Sequence, residues 1–267
     1  MYRKIAHVVG IALFIVLTIY AVRSQPISPQ QIDPHLLIVS CLLAAASVVF
    51  QSGVVYVLLP ALSLGERSLV AVWLTAEKAW LNSVAPAKAG TIASSAILVR
   101  RYGISISSNV RLLVANGAIT LCLSCLGALF LLVQPTLAAL MAIPILGMLL
   151  VAAWYVSGAE IGHIALIAGC ASVNMVLLTL GVAGCVVGLG HDIGAADVLK
   201  TGATLNALSV VSITPGNFGI RELVLASLRS AVDIDVALIL QGSSAYVLLR
   251  LVVSLAIATA LRSKVIS

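Results

Sequence analysis

Two short stretches carry most of the chemistry in this chain. One is Pro86-Ala-Lys-Ala-Gly90, centred on Lys88; the other is Pro215-Gly-Asn-Phe-Gly219, followed at once by Arg221 and Glu222. Both read P-x-x-x-G. Pro has no N–H to leave unpaired and Gly accepts strained dihedrals, so each stretch breaks a helix at low cost. A helix restarting near Ile220 has free N–H groups in its first turn and the positive end of its dipole there. Arg221 adds a full charge beside that end, which makes a competent phosphate site. Lys88 offers a point charge from the first break, unless it snorkels to an interface. Two cationic breaks facing one cavity suit an anionic group.

Other polar residues surround this pair. Arg250 lies inside the apolar run "YVLLRLVVSLAIATALRSK" and is expected to face the interior, toward Glu222 or a ligand, because charge at membrane depth is costly. Glu222 either pairs with Arg221, caps its own helix start or takes part in proton coupling. Asn82, Asn206 and Asn217 either shape the site or satisfy broken backbone. Glu77 and Lys78 are adjacent and do not share a helix face; one is expected to pair across the bundle and one to snorkel.

The elements that position these residues follow from composition. The 267 residues are 61% hydrophobic and only 9% charged, with mean hydropathy +1.18. Soluble domains carry about 25% charged residues. The chain is therefore expected to be an all-α, polytopic helical membrane protein, one transmembrane domain over 1–267 with no room for a soluble catalytic domain. Continuous apolar runs without period-2 alternation argue against a β-barrel. Six segments are long enough to span: 5–22, 36–62, 109–133, 137–157, 164–189 and 236–261. The first is too long for the apolar core of a signal peptide and reads as a retained span.

Two stretches, 70–99 and 198–232, are polar and broken at their centres. Each reads as two arms of about 12 residues, which rise about 18 Å, near half of a roughly 30 Å hydrocarbon core. They are expected to be re-entrant helical hairpins with tips at Pro86 and Gly90, and at Pro215, Gly216 and Gly219. With six crossings both termini share one side. Placing that side in the cytoplasm puts Arg3, Lys4, Arg67, Arg100, Arg101, Arg111, Arg262 and Lys264 inside, and Arg23, Lys200, Arg221 and Arg229 outside. That distribution obeys the positive-inside rule for an inner-membrane protein. The hairpins then enter from opposite faces, as in an inverted repeat of the kind transporters use.

The net charge of +6 is accounted for by topology and anionic headgroups rather than by nucleic acid. Scattered histidines, His7, His35, His163 and His191, give no metal spacing, and no cofactor is expected. Cys122 and Cys125 form a CxxC inside a span, read as small residues at a helix contact. Gly184 and Gly188 form a GxxxG, a close contact within the chain or in a homodimer. Trp73, Trp80, Trp154 and Tyr155 are expected to be interface anchors. Asp233-Ile-Asp235 resembles the DxD of some metal-dependent glycosyltransferases, or is an exposed linker.

"NSVAPAKAG" with "RRYGIS", and later "ITPGNFGIRE", resemble the two signature stretches of the lysylphosphatidylglycerol synthase transmembrane region, a flippase-like family. Pro215, Gly216, Gly219, Arg221 and Glu222 match its second motif; Pro86, Gly90, Arg100 and Arg101 match its first. After Gly90 the chain reads Thr-Ile-Ala-Ser, where the family often carries an acidic residue and then an Arg. The resemblance implies a two-repeat bundle that moves a lipid headgroup across the bilayer, without the synthetase domain that makes lysyl lipid. The expected function is a non-enzymatic flippase for an anionic or aminoacylated headgroup or a polyprenyl-linked glycolipid. Lys88 and Arg221 would hold phosphate, with Glu222, Asn82, Asn206, Asn217 and Arg250 around it. Expected partners are membrane lipids, a second copy of the chain and envelope-biosynthesis enzymes, with no nucleic acid. The rivals are a membrane-embedded glycosyl- or acyltransferase and a non-transporting subunit of an envelope-synthesis complex.

Overall fold

A computed structural model describes residues 23, 29–84, 88–132, 147, 154, 158, 160–210 and 236–266. The expected spans 5–22 and 137–157 fall almost wholly outside the described residues. So do Pro86, Pro215, Gly216, Asn217, Gly219, Arg221, Glu222 and the Asp233/Asp235 pair.

The described residues form helices and no strand. After a short 3-10 turn come α1 (Pro34–Gln51), α2 (Gly53–Val57), α3 (Leu64–Val84), α4 (Ala89–Tyr102), α5 (Ile106–Leu132), α6 (Ile161–Gly188), α7 (Ala195–Val210) and α8 (Val236–Ile266). Four stretches are long and apolar enough to cross a membrane: Pro34–Val57, Ile106–Ser124, Ile161–Gly188 and Ala237–Val265. They correspond to the four expected spans that the structure describes. Their outward faces carry Leu42, Ile106, Val176 and Val252, all exposed, while Ser40, Ser47, Ser243 and Ser254 are buried. Apolar outside with small polar residues inside is the arrangement a lipid solvent demands.

Local chemistry sets the boundaries. α1 starts where Asp33 accepts from the His35 and Leu36 N–H groups, with Pro34 in the first turn. The expected span 36–62 stops early, at Val57, because Pro60 cannot continue a helix. α3 differs more from expectation: it begins at Leu64 and has 21 residues, not about 12. Ser63 and Glu66 stand at the S-x-x-E spacing of a capping box, and the Ser63 hydroxyl donates to the Glu66 carboxylate at 2.9 Å. At 1.5 Å per residue α3 rises about 31 Å and the 14-residue α4 about 21 Å. α4 is thus too short to cross a core of about 30 Å. It ends on Gly103, whose φ of +65° suits glycine, with Arg100 and Arg101 in its last turn against the negative end of the dipole.

The helices pair by a regular scheme. α1 packs on α6, α3 on α8, and α5 on α7. α1 and α6 run antiparallel: the Asp33 N–H donates to the Gly188 carbonyl at 2.9 Å. A Cβ on Gly184 would lie 2.5 Å from Ser40 Oγ, and one on Gly188 would lie 3.1 Å from Leu37 Cδ2. The GxxxG stripe therefore serves a contact within the chain. α3 starts at the end where α2 finishes, whereas α7 starts at the opposite end, just past α6. The core is split. One cluster around Leu74, Ile119 and Ile167 lies toward the end that carries Arg67, Arg100, Arg101, Arg111, Arg262 and Lys264. There Arg101 donates to the Val265 carbonyl at 2.7 Å, and Arg67 donates to the Tyr56 carbonyl at 2.6 Å and stacks on its ring. A second cluster, around Val182, Leu240 and Tyr246, lies toward the other end.

Trp73 is no interface anchor. It is 4% exposed and sits inside the first cluster, because the face of α3 that bears it is the one packed into the bundle.

Candidate functional site

Between the two apolar clusters lies a cavity of about 730 Å³. That volume falls in the range of small-molecule sites. Its wall mixes apolar residues with a cationic and polar set. Along α5 it carries Val110, Leu113, Val114 and Leu121 together with Asn116 and Thr120. Among apolar residues of the other helices it carries the cationic and polar set: Lys78 and Asn82 from α3, Lys88 from the turn before α4, Gln51 from α1, Asn174 from α6 and Arg250 from α8. Arg250 and Asn174 sit at the centres of their helices, so this polar zone lies at mid-depth in the bundle.

The first break positions Lys88. Its φ is +55°, the left-handed region, where a side chain costs about 1–2 kcal/mol and a glycine costs nothing sterically. A lysine side chain is thus held at a position shaped for glycine. Gly90, two residues on, packs hard against α3. A Cβ there would collide with the Lys78 carbonyl and lie 2.9 Å from both Asn82 Oδ1 and Leu81 Cβ. Asn82 then ties the arms together. Its amide nitrogen donates to Thr91 Oγ1 at 3.2 Å, and its oxygen accepts from the Thr91 N–H at 3.2 Å. That N–H is shared with the Lys88 carbonyl at 2.8 Å. Asn82 so does the work of a cap at a helix start whose own N-cap side chain makes no such bond.

Arg250 faces the interior as expected, and its described partner is neutral. Nη2 donates to Gln51 Oε1 at 2.7 Å, and Nε is buried with no hydrogen-bond partner. Asn174 accepts from the Ser47 hydroxyl at 2.6 Å, which leaves its NH₂ as the donor for the cavity. Glu77 does not pair across the bundle: it accepts from Trp80 Nε1 at 3.1 Å, one turn along α3. Lys78 does not snorkel to an end. It lines the cavity, as Arg250 and Lys88 also do. No Asp or Glu lines the cavity among the described residues. Nor do any three His, Cys, Asp or Glu residues among them gather as metal ligands.

The structure thus brings together Lys88, Asn82 and Arg250, with Gly90 behind them. Asn206 is fully buried nearby but off the cavity wall, donating to the Gly202 carbonyl at 2.8 Å; its neighbour Leu205 reaches the wall. Sequence reasoning missed Lys78, Gln51 and Asn174. A signal for Lys78 was present: of fifteen Lys and Arg, the positive-inside count used all but Lys78, Lys88 and Arg250. The three cations with no topological duty are the three that meet at the cavity.

These features define an all-helical protein with, among the described residues, four helices suited to cross a membrane and a cavity with cationic lining at their mid-depth. No family model, no curated protein and no solved structure matches the chain.

Proposed function

We propose that this protein is a lipid flippase: it carries the charged headgroup of a membrane lipid through the central cavity while the tails stay in the bilayer. The observation that carries the reading is the convergence of Lys78, Lys88 and Arg250 on a mid-depth cavity whose remaining lining is largely apolar. Cations at membrane depth are costly and mark substrate pathways. A cavity that joins cations to a largely apolar lining matches an amphiphile better than a free solute.

The hairpin of α3 and α4 enters from the basic end and turns back beside the cavity, while α7 enters from the other end. In this reading they are the arms of two re-entrant hairpins. The pairing of α1 with α6, α3 with α8 and α5 with α7 is what an inverted repeat would give, the segments 34–132 and 161–266 being its halves. Rocking of one half against the other would expose the cavity alternately. The basic end would face the cytoplasm of a cell whose inner membrane holds the protein. The likeness of two short motifs to the lysylphosphatidylglycerol synthase transmembrane region agrees with this reading, and Arg221 would join the cations from the second hairpin.

Reconstitution in liposomes with fluorescent anionic lipids tests the proposal. Wild-type protein is expected to scramble the lipid, and Lys88→Ala and Arg221→Ala to slow it about tenfold or more. Scrambling no faster than in empty liposomes, across phospholipid and polyprenyl-phosphate substrates, overturns it.

A further inference from the structure

The geometry points to a more specific ligand: a phosphate group bearing two or more negative charges, that is, a phosphomonoester or a diphosphate. This rests on reading the cavity as the headgroup site. Lys78 and Arg250 carry the argument. Lys78 lines the same cavity as Arg250 and Lys88. Arg250 bonds a neutral amide and keeps a buried Nε without an acceptor. Glu77, adjacent to Lys78 in sequence, accepts from Trp80 and is off the cavity wall. The described wall therefore holds Lys78 and Arg250 and no carboxylate. Cations held at membrane depth favour a counter-charge nearby, and here a ligand would supply it.

A phosphodiester brings one negative charge and leaves the wall with surplus positive charge. An aminoacylated headgroup is worse, since its ammonium would enter a cationic site. A dianionic phosphate offers separate oxygens to the Lys78 ammonium and the Arg250 fork, with amide donors from Asn174 and Asn82 beside them. Lipid-linked and free phosphates share this chemistry.

Full-length protein in detergent micelles separates the cases. It is titrated with geranyl phosphate, geranyl diphosphate, short-chain phosphatidylglycerol, the lysyl ester of that lipid, and inorganic pyrophosphate. The two prenyl compounds are expected to bind about tenfold or more tightly than phosphatidylglycerol and its lysyl ester. Lys78→Met is expected to weaken the prenyl compounds about tenfold and to melt higher than wild type without ligand, because a cation held at membrane depth is gone. Lys78→Arg keeps the preference. Equal affinity for the diester or the lysyl ester, or unchanged affinity in Lys78→Met, overturns the inference. Pyrophosphate binding as tightly as geranyl diphosphate supports the charge requirement and assigns the site to a free anion. Vesicle transport of the diester or lysyl ester without preference sinks this inference and leaves the flippase reading standing. Dianion-selective binding with no transport of any lipid does the reverse.

Discussion

Arg250 Nη2 lies 2.7 Å from Gln51 Oε1, joining the centre of α8 to the last residue of α1. The acceptor is an amide where a carboxylate would fit. A carboxylate would neutralise the arginine and make the bundle more comfortable. It would also fill the electrostatic role left for a ligand. The break at Ser52 follows at once, so Gln51 sits where the helix changes to α2 and its side chain reaches the cavity.

Gln51→Glu should therefore separate stability from activity. The unliganded protein is expected to melt at a higher temperature, and transport of an anionic lipid in vesicles to fall about tenfold. Gln51→Ala should do something different: it takes the acceptor from a part-buried guanidinium and lowers stability by about 1–3 kcal/mol. Thermal unfolding in detergent and a vesicle transport assay read both effects. A Gln51→Glu protein that melts lower and transports normally would show that Arg250 needs no anion beyond its own fold.

Gly90→Ala is expected to push α4 off α3. The added Cβ meets the Lys78 carbonyl and Leu81 Cβ, which are backbone and near-backbone atoms with little room to give. Overpacking of this kind costs about 1–3 kcal/mol. The measurable signs are a lower melting temperature and faster cysteine labelling at position 92, on the exposed face of α4. Gly65→Ala, where nothing lies within 4 Å of the new atom, is the control and should be silent.

How much of this was legible beforehand follows from two kinds of signal. Apolar length is additive along the chain, so the four described spans were readable to within a few residues. Where they misjudged an end, a local device decided it: Pro60 shortened the first, and Ser63 with Glu66 began α3 inside what reads as a linker. The cationic site was half legible. Lys88 and Arg250 stood out because each breaks a local rule, one beside Pro and Gly, the other within an apolar run. Lys78 sits next to Glu77, and a neighbouring opposite charge suggests a solved problem. It is not solved, because successive residues on a helix point about 100° apart; Glu77 turns to Trp80 and Lys78 to the cavity. Gln51 and Asn174 carry no signal in sequence, since their role arises only when α1, α6 and α8 meet.

Gly184→Val tests where the GxxxG stripe acts. Its Cα faces Ser40 of α1, so a larger side chain must separate α1 from α6. The expectation is a clear fall in thermal stability, about 2 kcal/mol or more, with no change in oligomeric state by light scattering. Loss of a dimer with stability intact would move the contact to the outside of the bundle.

Asn82 offers the sharpest contrast between scaffolding and electrostatics. Its amide shares the Thr91 N–H with the Lys88 carbonyl and donates to Thr91 Oγ1, closing the hairpin around a lysine held at positive φ. Asn82→Ala removes both bonds. It should cost about 1–2 kcal/mol, as loss of a cap does, and let Lys88 leave its strained geometry. Asn82→Asp keeps the acceptor for the Thr91 N–H and adds a negative charge on a wall shared with Lys78 and Lys88. That variant should hold its fold as well as wild type or better, yet bind anionic headgroups about tenfold more weakly. If Asn82 served only as a hairpin clamp, the aspartate would restore transport while the alanine lost it. If the cavity works by its positive charge, the aspartate is the stable variant and the inactive one, and a melting curve beside a transport trace distinguishes the two.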